Sequence, residues 1–104
     1  MKKHYQVVIP PIAKKSLREI VSHIKKKSPI AAIKVREELI RLAKSLNELP
    51  ERFSKEENLL DKPGNYRSVT YWHYKIIYKV LTNEVVILGF MHTSRDPELV
   101  KKME

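Results

Sequence analysis

Residues 65–97, NYRSVTYWHYKIIYKVLTNEVVILGFMHTSRDP, contain three runs rich in β-branched and aromatic residues, at about 66–71, 74–81 and 85–92. Only about two residues separate each run from the next, which predicts consecutive antiparallel strands. The middle run alternates, so that one face is apolar while the other carries ammonium groups. The third run does not alternate, which predicts a strand buried on both faces near the middle of the sheet.

The chain before this stretch begins with a candidate strand at residues 4–9. Pro10-Pro11 ends it, because two prolines cannot both lie inside a β-ladder, and their fixed φ suits the first turn of a helix. Apolar residues then recur at helical spacing, which predicts a first helix that ends near Lys27 and exposes a strongly basic side.

A second helix is predicted at about residues 29–49, with Ser28 as its N-cap and Pro29 at its first helical position. Its apolar residues recur at steps of three and four, the spacing of a helix that lies nearly antiparallel to a partner. A helical hairpin that covers one face of the sheet would bury the apolar stripes of both helices.

Residues 51–64 follow Pro50 and show no sustained period, so this segment is expected to be a loop. A loop of this length in a small domain is more often functional or ordered by a partner than idle. Phe53, Leu59 and Leu60 are expected to attach it to the core.

The order of elements predicts an α+β fold in a single domain spanning residues 1–104. A strand and a helical hairpin precede a three-stranded antiparallel meander, and all four strands form one sheet with the helices on one face. A short C-terminal helix is expected at residues 98–103, with Asp96 as its cap.

The charge balance favours a polyanionic partner. Lys and Arg outnumber Asp and Glu by 21 to 12, which gives a net charge of +9 and a pI near 9.8.

The chain has no Cys, which excludes disulfides and thiolate metal sites. No apolar run is long enough to span a bilayer and the N-terminus is too polar for a secretion signal, so a cytoplasmic protein is expected.

Basic and aromatic side chains are concentrated on and beside the predicted sheet. Each guanidinium group can bind two phosphate oxygens at once, ammonium groups supply point charge, and tyrosine rings stack on unpaired bases. A histidine among them can move protons near neutral pH. A metal-free ribonuclease needs these groups, because its reaction deprotonates a 2′-OH, protonates a leaving oxygen and crowds charge on a phosphate. The set comprises Tyr66, Arg67, Tyr74, Lys75, Tyr78, Lys79, His92 and Arg95.

Structural roles compete with this interpretation. Tyr74 and Tyr78 alternate on an apolar strand face and are better explained as core residues. Lys75 and Lys79 form what is more often a simple solvated face. His92 at a strand end is equally consistent with a structural hydrogen bond. The histidines lack any paired ligand spacing and the chain has no phosphate-binding glycine loop, so neither a metal nor a cofactor is expected.

Strand register decides whether the basic residues can form one site. A two-residue turn at Trp72-His73 places Arg67 on the apolar face, and a tight turn between the last two strands places His92 on the opposite face. A three-residue turn at 71–73 would bring Arg67 to the face of His92. Catalysis needs the second register, and Trp-His offers none of the Asn-Gly turn chemistry that would enforce the first.

The order of elements resembles the RelE/ParE toxins of type II toxin–antitoxin modules, which include plasmid stabilisation proteins. The resemblance covers essentially the whole chain and is most specific in Tyr66-Arg67, in YKIIYKV at 74–80 and in MHTSRDP at 91–97. It implies a small basic toxin that is held inactive by an antitoxin whose C-terminal segment wraps around it.

The resemblance implies two possible targets. RelE-like members inhibit translation by cleaving messenger RNA on the ribosome, which is the first expectation because of the basic sheet face and His92. In that case Arg67 would stabilise the scissile phosphate, His92 would act as general acid or base, and Arg95 would bind the RNA backbone. Tyr66, Lys75 and Lys79 are the further expected RNA contacts. ParE-like members instead inhibit DNA gyrase without a known nuclease site, and the HTSRDP ending resembles that group. A plain RNA-binding module is the third and weakest expectation.

Overall fold

The four strands form one sheet in the order β1-β4-β3-β2, in a computed structural model that describes residues 3–95 and 97–103. The connections between β2, β3 and β4 are antiparallel, whereas β1 pairs with β4 in parallel. The elements are β1 (Gln6–Val8), α1 (Pro11–Lys25), α2 (Pro29–Lys44), β2 (Tyr66–Tyr71), β3 (Tyr74–Val80), β4 (Glu84–His92) and α3 (Pro97–Lys101). The predicted α+β class, the helical hairpin and the inner position of the last strand are confirmed.

The two long helices begin where the sequence predicts. Proline occupies the first turn of each, and the Ser28 side chain accepts a hydrogen bond from the backbone N–H of Ala31 at 3.1 Å. The second helix is shorter than expected, because the chain tightens at Lys44 into a 3₁₀ turn at Ser45–Asn47. Leu49 then adopts a left-handed backbone conformation with φ of 47°, which redirects the chain.

The first strand pair has the two-residue turn. Tyr71 is opposite Tyr74 and Arg67 is opposite Tyr78, so Arg67 lies on the face that the helices cover. Trp72 makes this turn possible by adopting a positive φ of 54°. The alternative three-residue turn, which the catalytic interpretation needed, is therefore not the one found.

The second strand pair contains a β-bulge that the sequence did not reveal. Tyr78 is opposite Ile87 whereas Ile77 is opposite Gly89, so β4 carries one extra residue. The bulge reverses the expected alternation along the end of β4 and places His92 opposite Tyr74, on the helix-covered face. The expectation that His92 lies on the face of Lys75 and Lys79 was wrong for this reason.

Two apolar clusters cover the two faces of the sheet. The helical hairpin packs on one face, where Tyr78 is fully buried and donates a hydrogen bond to the carbonyl of Pro50 at 2.6 Å. On the other face Leu59 from the loop and Val100 from α3 pack against Ile77. Phe53 and Leu59 attach the loop as expected, but Leu60 points to solvent.

The last strand approaches the C-terminal segment closely. A Cβ on Gly89 would lie 2.9 Å from the methyl carbon of Met103, so a larger residue there would require the Met103 side chain to shift. The expected cap of the last helix, Asp96, lies outside the described residues. None of the helices in the described ranges is long and apolar enough to cross a membrane.

Candidate functional site

Arg67 is bound within its own chain. Its guanidinium donates hydrogen bonds to the side-chain oxygen of Asn65 at 2.9 Å and to the carbonyl oxygens of Glu51 and Phe53 at 3.2 and 2.7 Å. The Glu51 carboxylate lies a further 3.4 Å away, and the Arg67 side chain is only 15% exposed. These contacts attach the 51–64 loop to β2.

Lys75 is paired with the one buried carboxylate in the described residues. Its ammonium lies 2.8 Å from Glu56, whose side chain is 1% exposed. Asn58 donates to the same carboxylate through its backbone N–H and its side-chain amide, at 2.9 and 2.8 Å. Burial raises the pKa of Glu56, but hydrogen bonds from Lys75, Asn58 and Ser68 and the Lys75 charge outweigh burial and lower it below 4.5.

We call these loop attachments the loop seam, which comprises Glu51, Glu56, Arg67 and Lys75. Within the seam each cation faces a carboxylate or several carbonyl oxygens, so the positive charge is largely compensated inside the protein. Tyr66 is also buried, and the Lys79 ammonium lies 5.9 Å from the centre of its ring. A buried ring cannot stack on a base without rearrangement of the loop.

His92 instead belongs to a group of rings around the β2–β3 turn, which we call the turn cluster and define as Trp72, His73, Tyr74 and His92. The imidazoles of His73 and His92 stack with centroids 6.0 Å apart, and Tyr74 meets His92 edge-on at 5.4 Å. The backbone N–H of Ser94 donates to Nδ1 of His92 at 3.1 Å. Because an N–H can only donate, the neutral His92 ring carries its proton on Nε2.

A cleft of about 470 Å³ lies between α1, the end of β4 and α3, and it brings His92 and Arg95 together. Glu19 and His23 from α1 line the same cleft and were not expected there. They lie one turn apart on the helix, at positions 19 and 23, which is the signal that places both on one side of α1. The cleft therefore gathers four ionisable side chains, of which three are exposed and His92 is half-buried.

The predicted catalytic residues do not meet. Arg67 and His92 lie on one face of the sheet but opposite Tyr78 and Tyr74, four positions apart along β3. Four steps along a strand span about 13 Å. Tyr78, the partner of Arg67, also offers no base, because burial raises its pKa to about 12.

A second large groove runs between the two long helices. Its volume is about 660 Å³, its floor is apolar, and every ionisable side chain that lines it is basic. We call it the basic groove. The basic groove is lined by Ile9, Lys14, Leu17, Arg18, Val21, Ser22, Lys25, Arg36, Ile40 and Lys44.

The described residues contain no cluster of three or more His, Asp or Glu side chains that could hold a metal ion.

Residues 7–97 match the family model of the ParE toxin of the type II toxin–antitoxin system parDE. The chain belongs to the ParE toxin family. A toxin of this family is one half of a toxin–antitoxin module, so an antitoxin is its partner. The RelE/ParE resemblance seen in the sequence is confirmed.

The fold of this ParE toxin is found in a solved structure described as the chromosomal ParDE toxin–antitoxin system from P. aeruginosa. The TM-score is 0.69 at 20% sequence identity, and the match covers 86% of this chain and 96% of the other. A search of curated protein sequences finds no matching relative.

Proposed function

We propose that this ParE toxin inhibits DNA gyrase in the cytoplasm by binding it, and that it does so without cleaving RNA. The observation that carries the proposal is the internal pairing of Arg67 and Lys75, which were the expected phosphate-binding groups. Both would have to leave the loop seam before they could bind RNA. The match to the ParE family model supports gyrase as the target, because ParE-like members of the RelE/ParE group poison gyrase.

Cleavage of messenger RNA on the ribosome is the second candidate, and one observation favours it. His92 and Arg95 share an open cleft with Glu19 and His23, so acid–base groups and a phosphate-binding cation lie close together. This site would differ from the expected one because Arg67 takes no part in it.

The test combines a purified system with cells. Purified toxin is added to DNA gyrase in a supercoiling assay, and in parallel its expression is induced while DNA synthesis and protein synthesis are followed by pulse labelling. We expect supercoiling to be inhibited and DNA synthesis to fail first, with messages intact. The variant His92→Ala should retain at least about half of the inhibition, because binding without RNA cleavage needs no acid–base group at this position.

Gyrase that works normally at micromolar toxin, together with messages cut within codons, would refute the proposal. Loss of growth arrest in His92→Ala without loss of antitoxin binding would then identify the cleft as a nuclease site.

We also propose that the antitoxin binds the basic groove through an amphipathic helix with acidic flanks. The groove offers an apolar floor between two helices and a rim that includes Lys14, Arg18, Arg36 and Lys44, with no carboxylate among the residues that line it. Charge complementarity of this kind steers association and fixes the partner.

Charge reversal at the rim tests the antitoxin site. The double variant Arg18→Glu/Arg36→Glu should bind the antitoxin at least about tenfold more weakly, as measured by titration calorimetry, because it sets like charges opposite each other. Lys102→Glu is the control, because Lys102 is exposed and does not line the basic groove. It should bind the antitoxin as tightly as the parent does. Equal affinity for the double variant and the control would exclude the groove.

A further inference from the structure

An apolar surface lies between the β2–β3 turn and the start of α2, away from the residues that line the basic groove. The side chain of Trp72 is 60% exposed there. A cleft of about 400 Å³ separates Trp72 from the helix, and Ala31, Lys34, Val35 and Tyr71 complete its lining. We call this the Trp72 surface. An exposed aromatic ring beside an apolar cleft is typical of a protein-binding site.

The backbone of Trp72 is strained for a residue of its size. It is the first central residue of a two-residue turn and has φ of 54°, in the left-handed region that favours glycine. Its side chain is nevertheless 60% exposed, so it gains little burial within its own chain. A glycine would form this turn with less strain. Strain that the fold does not need is more often found where a residue serves a contact with another molecule.

The charges around the Trp72 surface define the chemistry of its partner. Lys34 lines the cleft and is exposed. Lys26 and Lys27 are also exposed and precede Ser28, the N-cap of α2. The first carboxylate along α2 is Glu37, beyond Ile33. A second copy of this chain fits poorly, because a symmetric interface would bring the same cations together. A pocket that is apolar at its centre and acidic at its rim is complementary to this surface.

We propose that the Trp72 surface binds the protein target of the toxin by inserting the indole into an apolar pocket rimmed by carboxylates. This inference rests on the proposed function, since it assumes that the toxin acts by protein contact and takes DNA gyrase as the target. Trp72 is then a contact residue whose surface is separate from the basic groove. One toxin molecule therefore presents different surfaces to its antitoxin and to its target.

The decisive variant is Trp72→Gly, which removes the ring and relieves the backbone strain together. We expect inhibition of gyrase supercoiling to require at least about 30-fold more toxin, because a buried aromatic anchor commonly dominates an interface. The melting temperature should stay within about 5 °C of the parent and the antitoxin should still bind. This combination separates loss of a contact from loss of the fold.

Leu49→Gly is the matched control. Leu49 also has a positive φ, 47°, and its side chain is also 60% exposed, but it lies outside the Trp72 surface. The control should inhibit gyrase within about twofold of the parent, since isolated surface substitutions rarely matter.

Charge is tested separately with Lys34→Glu, and Lys15→Glu on α1 serves as its control because it changes the net charge equally. Inhibition by Lys34→Glu should be weaker by at least about fivefold at low salt and should approach that of the control at high salt. Equal inhibition by the two variants at low salt would exclude an acidic rim on the target.

Three outcomes would overturn the proposal: full gyrase inhibition by Trp72→Gly, loss of antitoxin binding in that variant, or a toxin dimer in solution that the substitution dissociates. If the parent toxin leaves gyrase untouched, the proposed function fails and growth arrest on induction becomes the readout. Unchanged arrest by Trp72→Gly then excludes the surface, whereas lost arrest in a folded variant supports it for another protein target.

Discussion

The loop seam and the turn cluster both contain residues expected to form the catalytic site, but they differ in how these residues are held. In the loop seam Arg67 and Lys75 face Glu51 and Glu56, and the charges are compensated within the chain. In the turn cluster the rings of Trp72 and His73 are exposed, and they contact each other and the rings of Tyr74 and His92. The comparison teaches that a basic side chain in this toxin can serve the fold rather than a ligand, because Arg67 and Lys75 are both paired within the chain.

Truncation of Glu56 should give the largest effect. The variant Glu56→Ala leaves the Lys75 ammonium without its partner in a site where the side chain is 17% exposed, and we expect a loss of about 3 kcal/mol in the free energy of unfolding. Urea unfolding measures this loss. The matched truncation in the turn cluster, His73→Ala, should cost less than about 0.5 kcal/mol because the ring is exposed. Equal losses of unfolding free energy in Glu56→Ala and His73→Ala would contradict the difference between the loop seam and the turn cluster.

Acid should also weaken the loop seam, with a smaller loss in the free energy of unfolding than Glu56→Ala causes. The folded protein holds the pKa of Glu56 below 4.5, so the unfolded chain takes up a proton first as the pH falls. The stabilisation is complete above about pH 4.5 and is lost as the pH falls through the lower pKa of the folded state.

Urea unfolding at about pH 6 and about pH 3 measures this dependence on acid. The variant Glu56→Gln cannot ionise at this position and should lose less free energy over the same interval than the parent. An identical decrease in both proteins would mean that Glu56 ionisation does not stabilise the fold.

Regular elements of this toxin were predictable because their periodicity is strong. The helix start at Ser28-Pro29 combines a capping side chain with a fixed φ, and both signals are local. The inner position of β4 followed from its unbroken apolar run. The family was recognisable for the same reason, since the order of elements survives where individual residues change.

The candidate site was less predictable because it depends on events that leave no local signal. One extra residue in β4 moves His92 to the other face of the sheet, yet Leu88-Gly89 reads like any other part of an apolar strand. Trp72 adopts a conformation that its residue type disfavours, so the turn could not be assigned from turn chemistry. Glu56 lies in a segment without periodicity, and nothing in its neighbours indicates that it is buried beside Lys75.

The parallel pairing of β1 with β4 limits how early the toxin can fold during its synthesis. Val7 is paired with Val85, so the strand that the ribosome makes first has its hydrogen-bonding neighbour among the last elements. Contacts between residues so distant along the chain form slowly, because the intervening loop must close first. A nascent chain therefore cannot complete its sheet before β4, which ends at His92, has been synthesised, so all three strands that precede β4 lack a neighbour or a finished sheet until almost the whole domain has been made.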